Sequence, residues 1–532
     1  MSCSAQSVAE ASSGERSALR GWVLLLLILA TATDAINSTV LVIARAQLMG
    51  STHTTTDEIA WVNMAYLAAK LTCFPVAAWL CVRVASGKLI LAATTVLLVS
   101  LVGCAMTHHL EVLIMWRILQ GVAGAVLLVC SQFVLFEAFP RRQQGVVQAA
   151  FAFSVIMAPT TLTPALQGWA VDTGSWSWIF WASFPLALCG LIAALLLPLA
   201  GIPRTESRPF DWTGVSLMAT AMTAIVFVTQ EGSRYNWFDE LEIVVLTIVA
   251  MIATVSFVVW QFASQRRGAL IDFGAFRDEH FSFGFLVSFV AGCALFGSAF
   301  IIPAFATNVL DFSPTYAGFL LLPSGLCVCA GLLAAGSAIQ FGSLDPTRPI
   351  PIGILCFMTA MWVMSGSTSQ SGLPDLVAVL LLRGFGLGLL FVSLTLVTLN
   401  GLNGVALAHG IALFNVGRQL GGQVGIGWLA TYLDRQNVLN RTVLSQFITP
   451  GNPAFIQRRE AIETALISRG FNPEDAGQAA IRVIQQEFGR QVATVSFNEC
   501  FLAVAVLFLG AAPVLILAKI MLHRLSPHRP MP

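Results

Sequence analysis

The chain has 532 residues, of which 57% are hydrophobic and only 10% are charged, and its mean hydropathy is +0.80. This composition excludes a soluble globular domain and is typical of a protein with many membrane-spanning helices. The formal net charge of +1 gives no support to nucleic acid as a partner.

The chain begins with a polar stretch, residues 1–21, that is rich in Ser and Ala. The apolar run behind it is too long for the core of a signal peptide, so the polar stretch is predicted to be a cytoplasmic tail. About 14 apolar stretches then follow, each close to the roughly 20 residues that a bilayer-crossing helix needs. They cover residues 22–44, 59–81, 88–107, 110–137, 145–166, 178–200, 211–230, 241–263, 281–303, 315–340, 349–367, 375–400, 405–432 and 498–521.

The Lys and Arg residues of the short connections are distributed unevenly between the two sides of the membrane that these spans predict. One side carries Arg83, Lys88 and Arg141 among many others, whereas the short connections on the other side carry only Arg45 and Arg234. Short cytoplasmic loops are enriched in Lys and Arg. The chain is therefore predicted to be a multi-pass protein of the cell inner membrane with both termini in the cytoplasm.

One predicted connection, residues 433–497, is long and polar and would lie outside the cell membrane. Its positive charge does not exclude that position, because long loops are translocated largely regardless of charge. Within it, Arg459–Ser468 and Asp475–Phe488 have apolar residues at helical spacing. The connection is interpreted as a solvated cap, as a docking surface for an envelope protein, or as a lid over the exit.

Three charged residues of the first half, Asp34, Lys70 and Arg117, lie inside predicted spans. An ionisable side chain in the bilayer costs about 3 kcal/mol on insertion scales and usually faces a water-filled transport path. At about 1.5 Å of helix per residue the three lie at similar depths, so they are expected to share one cavity. Asp34 is predicted to bind and release the coupling proton, and Lys70 is predicted to be its ion-pair partner. The alternative is a permanent ion pair that only neutralises buried charge.

The other two charges lead to separate expectations. Arg117 is predicted to serve transport rather than folding, because its insertion cost has no evident structural return. Lys70, as a cation fixed in the cavity, would favour anionic or zwitterionic cargo.

Motifs of enzymes and of metal sites are missing from the sequence. It contains no phosphate-binding loop of the GxxxxGK[ST] type and no HExxH or comparable set of metal ligands. An enzyme is therefore not predicted, and neither a cofactor nor a metal is expected. The 11 cysteines lie almost all in apolar segments without a repeated CxxC, which predicts small buried residues rather than a disulfide or zinc framework.

The residues around Arg117 form a motif, Arg117-x-x-Gln120-Gly121-x-x-Gly124, which resembles the fourth-span motif of major facilitator exporters. Later blocks, in order along nearly the whole chain, resemble the 14-span drug:proton antiporters of the EmrB/QacA type. These blocks are Trp176–Trp181, Asp211–Gly214, Asn308–Leu310, Arg383–Gly388, Asn415–Gly422 with Arg418, and Asn498–Glu499.

The resemblance implies an all-α membrane protein with the major facilitator fold, in which two six-helix bundles flank two inserted helices and rock about a central site. The predicted units are a tail at 1–21, an N-terminal bundle at 22–200, two inserted helices with cytoplasmic linkers at 201–280, a C-terminal bundle at 281–522 that includes the 433–497 connection, and a tail at 523–532.

The fifth-span motif departs from the family pattern. Pro159, Pro164 and Gly168 are present, but only half of the usual glycine face is. The two prolines each remove a backbone donor, so they are still expected to bend the helix.

Two further departures concern charge. The loop Ala78–Lys88 lacks the acid that the family usually has there. Asn37 stands where the family's first-span acid is usual, so proton coupling through Asp34 is inferred from the residues and not from the resemblance.

The predicted function is secondary active, proton-coupled efflux of small amphipathic toxic compounds or drugs. The alternatives are a siderophore or metabolite exporter, an uptake permease of the same fold, and a receptor or structural subunit that has lost coupling, which the altered loop Ala78–Lys88 favours. The expected partners are the small-molecule substrate, protons and the lipid bilayer. A membrane-fusion protein and an outer-membrane channel are further candidates, and no nucleic acid is expected.

Overall fold

The structure, a computed structural model, describes residues 2–38, 45–52, 54–172, 176–196, 209–264, 269–342, 344–449 and 451–525. Within these ranges the chain forms helices and no strand. In a bilayer an apolar segment satisfies its backbone hydrogen bonds internally only as a helix or in a closed barrel. The predicted end of the first span at 39–44, the loop residues 201–208 and the last residues of the predicted tail, 526–532, lie outside the described ranges.

The α-helices of the described residues are numbered in chain order. They are α1 (Ser2–Asn37), α2 (Arg45–Thr52), α3 (Thr56–Arg83), α4 (Ser86–Met106), α5 (Leu110–Ala138), α6 (Gln144–Met157), α7 (Thr163–Asp172), α8 (Trp178–Leu196), α9 (Trp212–Glu231), α10 (Leu241–Ser264), α11 (Glu279–Asn308), α12 (Pro314–Phe319), α13 (Leu322–Phe341), α14 (Pro349–Met364), α15 (Leu373–Leu399), α16 (Gly404–Ser445), α17 (Pro453–Ser468) and α18 (Pro473–Leu525). Short 3₁₀ turns lie at Arg141–Gln143, Trp237–Asp239 and Phe273–Arg277, and a π turn lies at Ala158–Leu162.

Twelve helical segments of the described residues are long and apolar enough to cross a membrane. Two of these segments each combine two helices, α6 with α7 and α12 with α13. Two more helices run through the same bundle: α14, which has 16 residues, and α16, which packs along α11 although it carries the buried Arg418. With these two, fourteen helical segments of the described residues match the positions of the fourteen predicted spans, and we call them the crossing helices.

The crossing helices form two groups that pack mainly within themselves. The first group contains α1 and α3–α8, and the second contains α11–α16 and α18. The groups meet along two seams, where α6 and α7 pack against α12 and α13, and where α3 packs against α16. Helix α9 packs on α10 and also contacts both α3 and α16, so the inserted pair covers the second seam.

The first seam is a backbone-to-backbone contact at both of its ends. A Cβ atom on Gly145 would lie 2.3 Å from the carbonyl oxygen of Gly336, and one on Gly168 would lie 2.3 Å from that of Pro314. A Cβ on Gly318 would lie 2.3 Å from the carbonyl oxygen of Pro164. Such approaches need residues without a side chain. Gly168 and Pro164 of the fifth-span motif are therefore part of the contact between the two groups.

Pro159 occupies a different place in the same crossing. It lies in the π turn Ala158–Leu162, which separates α6 from α7. A π turn of this kind marks an interruption of the regular α-helical hydrogen bonds, and a proline, which has no backbone donor, is a common cause.

The polar connection between the last two spans is helical over most of its length. Helix α16 continues to Ser445, α17 follows, and α18 runs from Pro473 into the last crossing without a break. The guanidinium of Arg458 on α17 donates to the carboxylate of Glu487 on α18 at 2.9 Å. The two helices expected from apolar spacing are thus α17 and the first turns of α18. We call the end of the bundle from which they protrude the α17 side, and the other end the opposite side.

One expectation about the cysteines is wrong. Cys81 of α3 and Cys130 of α5 form a disulfide, with their Cα atoms 5.9 Å apart. They are 49 positions apart in sequence and meet only because α3 packs along α5, which the cysteine spacing does not reveal. Eight other described cysteines are free.

Candidate functional site

Asp34 of α1 is held by two side chains of α3. The Nζ atom of Lys70 lies 2.6 Å from Oδ2 of Asp34, and the Tyr66 hydroxyl donates to Oδ1 at 2.8 Å. Lys70 also donates to the Tyr66 hydroxyl at 2.8 Å, which closes the triangle. Asp34 and Lys70 are only 1% and 2% exposed. The structure therefore brings together the predicted pair, in a packed environment.

Arg117 of α5 lies on the other side of the tyrosine. Its Cζ atom is 4.3 Å from the centre of the Tyr66 ring, a cation–π contact. Its Nη1 atom donates to the carbonyl oxygen of Asn37 at 2.9 Å and to Oε1 of Gln120 at 2.8 Å, and its Nε atom donates to the carbonyl oxygen of Val62 at 3.2 Å. Arg117 is fully buried and connects α1, α3 and α5.

The premise that Arg117 has no structural return is therefore wrong. Asn37 is the last residue of α1. The last carbonyl groups of a helix have no N–H donor within that helix, so they need a donor from outside it. Arg117 is such a donor. Its Nη2 atom, by contrast, has no hydrogen-bond partner among the described residues.

The glycines of the fourth-span motif make room for these contacts. A Cβ on Gly124 would lie 1.8 Å from Oδ1 of Asp34, and a Cβ on Gly121 would lie 2.4 Å from the carbonyl oxygen of Tyr66. Arg117 and both glycines are three or four residues apart in steps along α5, so they share one face of that helix. We call Asp34, Tyr66, Lys70 and Arg117 together the Asp34 cluster.

Tyr66 is the member of the cluster that the sequence reasoning missed. A signal for it exists, because Tyr66 and Lys70 are four residues apart and so lie on one face of α3. The chain has only 4 tyrosines, and the remaining aromatic residues are apolar or indole side chains without a hydroxyl. A tyrosine one turn from a buried lysine could have been read as its hydrogen-bond partner.

Asn415 and Arg418 of α16 lie in a separate place. Nη2 of Arg418 donates to Oδ1 of Asn415 at 2.5 Å, and Nδ2 of Asn415 donates to Oε1 of Gln132 on α5 at 3.1 Å. These residues link the two helix groups directly. The neighbouring glycines are packing positions, since a Cβ on Gly421 would lie 2.0 Å from the carbonyl oxygen of Phe289 on α11.

A cavity of about 250 Å³ lies beside the second seam, between α3, α9, α11 and α16. We call it the α9 cavity. It is lined by Ser38, Ile59, Ala60, Asn63, Leu67, Gln230, Glu231, Phe296, Phe300, Gln419, Gln423, Ile426, Gly427 and Ala430.

None of the three predicted charges lines the α9 cavity. Asn63 and Leu67 line it, whereas Tyr66 and Lys70 bind Asp34 of α1 instead. The expectation that the charges share an open cavity is thus revised: they share a packed cluster. The expected preference for anionic cargo loses its basis as well, because Lys70 is paired with Asp34.

Among the described residues, no group of three or more His, Cys, Asp and Glu side chains is placed to hold a metal ion.

The chain is similar in sequence to bacterial export proteins along most of its length. Multidrug export protein EmrB of Haemophilus influenzae is 26% identical over 497 residues, which cover 93% of this chain and 95% of that protein. EmrB of Escherichia coli K12 is 26% identical, with coverages of 90% and 92%. Fatty acid resistance protein FarB of Neisseria gonorrhoeae is 25% identical, with coverages of 96% and 98%.

Two solved structures share the fold at low sequence identity. A bacterial homologue of the human lysosomal transporter Spinster, in an inward-facing and unoccupied conformation, superimposes with a TM-score of 0.57 at 14% identity and covers 96% of this chain. A human organic anion transporter superimposes with a TM-score of 0.53 at 11% identity and covers 92% of this chain. The sequence profile of the Major Facilitator Superfamily matches residues 26–426. Since that match spans more than half of the chain and the helix arrangement agrees with it, the protein belongs to the Major Facilitator Superfamily.

Proposed function

We propose that the protein is a secondary exporter that moves small amphipathic compounds, drugs among them, out of the cell in exchange for protons. The observation that carries the proposal is the Asp34 cluster, in which a buried carboxylate on α1 is held by a cation and a hydroxyl on α3. The names of the similar proteins, multidrug export protein and fatty acid resistance protein, support export as the direction and amphipathic compounds as the cargo.

The geometry suggests how a proton would act. When Asp34 is ionised, it binds Lys70 and Tyr66 and thereby fastens α1 to α3. A proton on Asp34 removes its charge, and the attraction to Lys70 weakens. A ligand shifts a conformational equilibrium only through different interactions with the two states, and this change in the α1–α3 contact is such a difference. We propose that it biases the rocking of residues 22–200 against residues 281–522, with 201–280 as the inserted pair.

The experiment compares wild type with Asp34→Asn in proteoliposomes under an imposed pH gradient. The variant keeps the size of the side chain but removes the titratable group. We expect gradient-driven transport to fall by about tenfold or more, as a coupling free energy of 1–3 kcal/mol would predict, while cargo binding survives. The exposed Asp239→Asn is the matched control and should transport as wild type does.

Gradient-driven transport at the wild-type rate in Asp34→Asn would remove Asp34 from the mechanism. If the imposed pH gradient drives no transport of any amphipathic compound by the wild type, the proposed function itself is wrong. In that case the receptor or structural alternative would regain support.

We also propose that the α17 side is external, that both termini are cytoplasmic and that the protein lies in the cell inner membrane. We further propose that a membrane-fusion protein binds the helical extension, which comprises the end of α16, α17 and the first turns of α18. The extension offers a groove of about 910 Å³ between α16 and α18, and Val438 lines it while Phe447 is exposed nearby. A contiguous patch of exposed apolar side chains is typical of a docking site. A Val438→Ser/Phe447→Ser double variant should lower export from whole cells but leave transport in proteoliposomes, which contain no partner, unchanged. Equal export from cells would contradict a partner on this groove.

A further inference from the structure

The connection between α9 and α10, residues 232–240, binds both helix groups on the α17 side. The hydroxyl of Ser233 donates to the carboxylate of Asp434 on α16 at 2.7 Å. The next residue, Arg234, forms an ion pair with Asp57 at the start of α3. Because α3 belongs to the first group and α16 to the second, these contacts bridge the second seam. We call residues 232–240 the strap.

The contacts of the strap and of α9 with α16 are close and fix the local backbone. The indole of Trp237 donates to the hydroxyl of Thr431 at 3.0 Å. The φ angle of Trp237 is 57°, in the left-handed region that bulky residues rarely adopt. Such a conformation persists only where its surroundings determine it. One turn along α16, a Cβ on Gly427 would lie 2.0 Å from the carbonyl oxygen of Thr229 on α9. The strap is thus anchored on α16.

The contacts of the strap with α3 are polar and open to water. Arg234 and Asp57 are 38% and 50% exposed. Arg234 also donates to the hydroxyl of Thr56, and the hydroxyl of Tyr235 donates to Asp57 at 3.3 Å. Exposed ion pairs of this kind contribute little and break readily. Oε2 of Glu231 lies 3.6 Å from the same guanidinium, so Arg234 keeps a carboxylate beside it when it leaves α3.

Next to the strap, α9 itself meets α3 through side chains. The rings of Trp61 and Phe227 are 5.5 Å apart and tilted relative to each other. Tilted rings can slide past each other, whereas the backbone contact of Thr229 with Gly427 leaves no room between α9 and α16. When the halves separate at the second seam, the separation is therefore expected between α3 and α9.

We propose that the strap holds the α17 side closed, that it moves with α16, and that Arg234 releases α3 when this side opens. Rocking of the two halves has to part α3 from α16 at the second seam. The contact between Arg234 and Asp57 stabilises the closed arrangement, so Arg234 is a positioning residue of the transport cycle. This inference rests on the proposed export function and gives the inserted pair a part in it, the control of opening.

The first test measures how fast the α9 cavity opens in the purified full-length protein in lipid nanodiscs. Asn63 lines that cavity, so the rate at which a maleimide labels Asn63→Cys reports its opening. In an added Arg234→Ala variant we expect the rate to rise about two- to fivefold, as the loss of an exposed ion pair predicts. Arg234→Lys keeps the charge and should restore the slow rate. Arg435→Ala removes an exposed cation of α16 and is the matched control.

An unchanged labelling rate in Arg234→Ala would overturn the inference. The native Cys104, which is fully buried in α4, distinguishes opening from a fold defect. Its labelling should stay as slow as in the parent protein. A parallel rise at Cys104 would show general loosening and would equally overturn the inference.

The second test asks which half the strap follows. Oxidation of Ser233→Cys/Asp434→Cys ties the strap to α16, and the protein should then transport in proteoliposomes as its reduced form does. A short bifunctional thiosulfonate ties the strap to α3 in Arg234→Cys/Asp57→Cys, and transport should be lost until a reductant is added. Loss of transport in both pairs, or in neither, would contradict a strap that moves with α16 and releases α3.

The proposed function is tested separately, because labelling of Asn63→Cys requires no transport. If wild type exports no compound while Arg234→Ala still raises the labelling rate, the export function fails and the role of the strap remains. If wild type exports and the labelling rate does not change, the role of the strap fails and the export function remains.

Discussion

Arg117 holds three helices together at a point beside the carboxylate that we propose to bind the proton. It donates to backbone carbonyl groups of two other helices, at Asn37 and Val62, and it lies against the ring of Tyr66, which in turn binds Asp34. The arginine fork suits this task because its donors have a fixed planar geometry. Any movement of α5 relative to α1 and α3 would therefore disturb the position of the Asp34 carboxylate, which we propose to bind the proton.

The first prediction concerns Arg117→Ala. It removes the donor of the Asn37 carbonyl oxygen and of Oε1 of Gln120, and each buried group left unpaired costs about 1–3 kcal/mol. We expect a lower Tm of the purified protein as well as loss of gradient-driven transport. The exposed Arg142→Ala is the control, and its free energy of unfolding should change by about 0.5 kcal/mol or less. A wild-type Tm in Arg117→Ala would mean that its hydrogen bonds are not structural.

The second prediction concerns Gly124→Ala. The added Cβ would lie 1.8 Å from Oδ1 of Asp34, so the carboxylate has to leave its place beside Tyr66. We expect overpacking of about 1–3 kcal/mol and loss of gradient-driven transport. Gly190→Ala is the matched control on α8, because its Cβ would meet no atom closer than 3.7 Å. Normal coupling in Gly124→Ala would show that the position of Asp34 is not critical.

At this scale the sequence predicted the residue types better than their environment. Asp34 and Lys70 were paired correctly by depth, since helical rise fixes depth. Depth does not determine how closely the neighbouring helices pack around the pair, and the cavity expected there was wrong because Asp34 and Lys70 are almost fully buried. Glu231 lies at the end of an apolar helix, and only the packing of α9 into the seam gives it a buried position.

At the scale of helices, the contact of α7 with α12 is the part of the fold most suited to controlled opening. Backbones touch at Gly168 and Gly318, and the hydroxyl of Thr315 donates to the carboxylate of Asp172 close by. Gly145 forms a similar contact with Gly336 at the other end of the seam. Rocking of the halves must separate these two contacts alternately.

The third prediction concerns Gly168→Val. The side chain would meet the carbonyl oxygen of Pro314, and a strain of about 1–3 kcal/mol shifts an equilibrium roughly tenfold or more toward the state that is open on the α17 side. An Asp172→Cys/Thr315→Cys pair reports the contact by disulfide cross-linking. The yield should be high in the parent protein and low with Gly168→Val. Gly145→Val, at the opposite end, should not lower the yield, and a loss with both variants would indicate misfolding rather than a shift in conformation.

The sequence predicted helix existence well and helix connections less well. Crossings were predicted from length and hydropathy, and the span predicted at 405–432 lies within α16. The continuity of α18 was missed, because a switch from polar to apolar residues looks like a boundary although the backbone hydrogen bonds need no interruption there. The position of α9 over the second seam could not be predicted from the sequence either, because it depends on how two helices that are distant in sequence, α3 and α16, pack together.

At the scale of the whole molecule, the two halves repeat one arrangement with different chemistry. In the first half Arg117 of α5 reaches the first and second crossings through Asn37 and Val62. In the second half Arg383 of α15 reaches the corresponding helices, with donors to Ser298 of α11 at 2.7 Å and to Ser324 of α13 at 3.1 Å. Related repeats of this kind are common in transporters. Among the side chains that the structure describes, only the first half adds a carboxylate paired with a lysine, so the proposed proton step belongs to that half.

The last prediction is the orientation of this asymmetric molecule in the membrane. Fourteen crossings return the chain to the side on which it began. The short connections of the opposite side carry Arg83, Lys88 and Arg141, whereas those of the α17 side contribute Arg234 among the described side chains. Because short cytoplasmic loops are enriched in Lys and Arg, reporter fusions after Arg142 should be cytoplasmic and fusions after Gly451 external. A fusion after Arg348 is the control and should agree with Arg142. If the fusions after Arg142 and Gly451 report the same side, one crossing between them is wrong; the short α14 and the polar α16 would be the first to re-examine, because their length and composition are the furthest from those of a simple lipid-facing span.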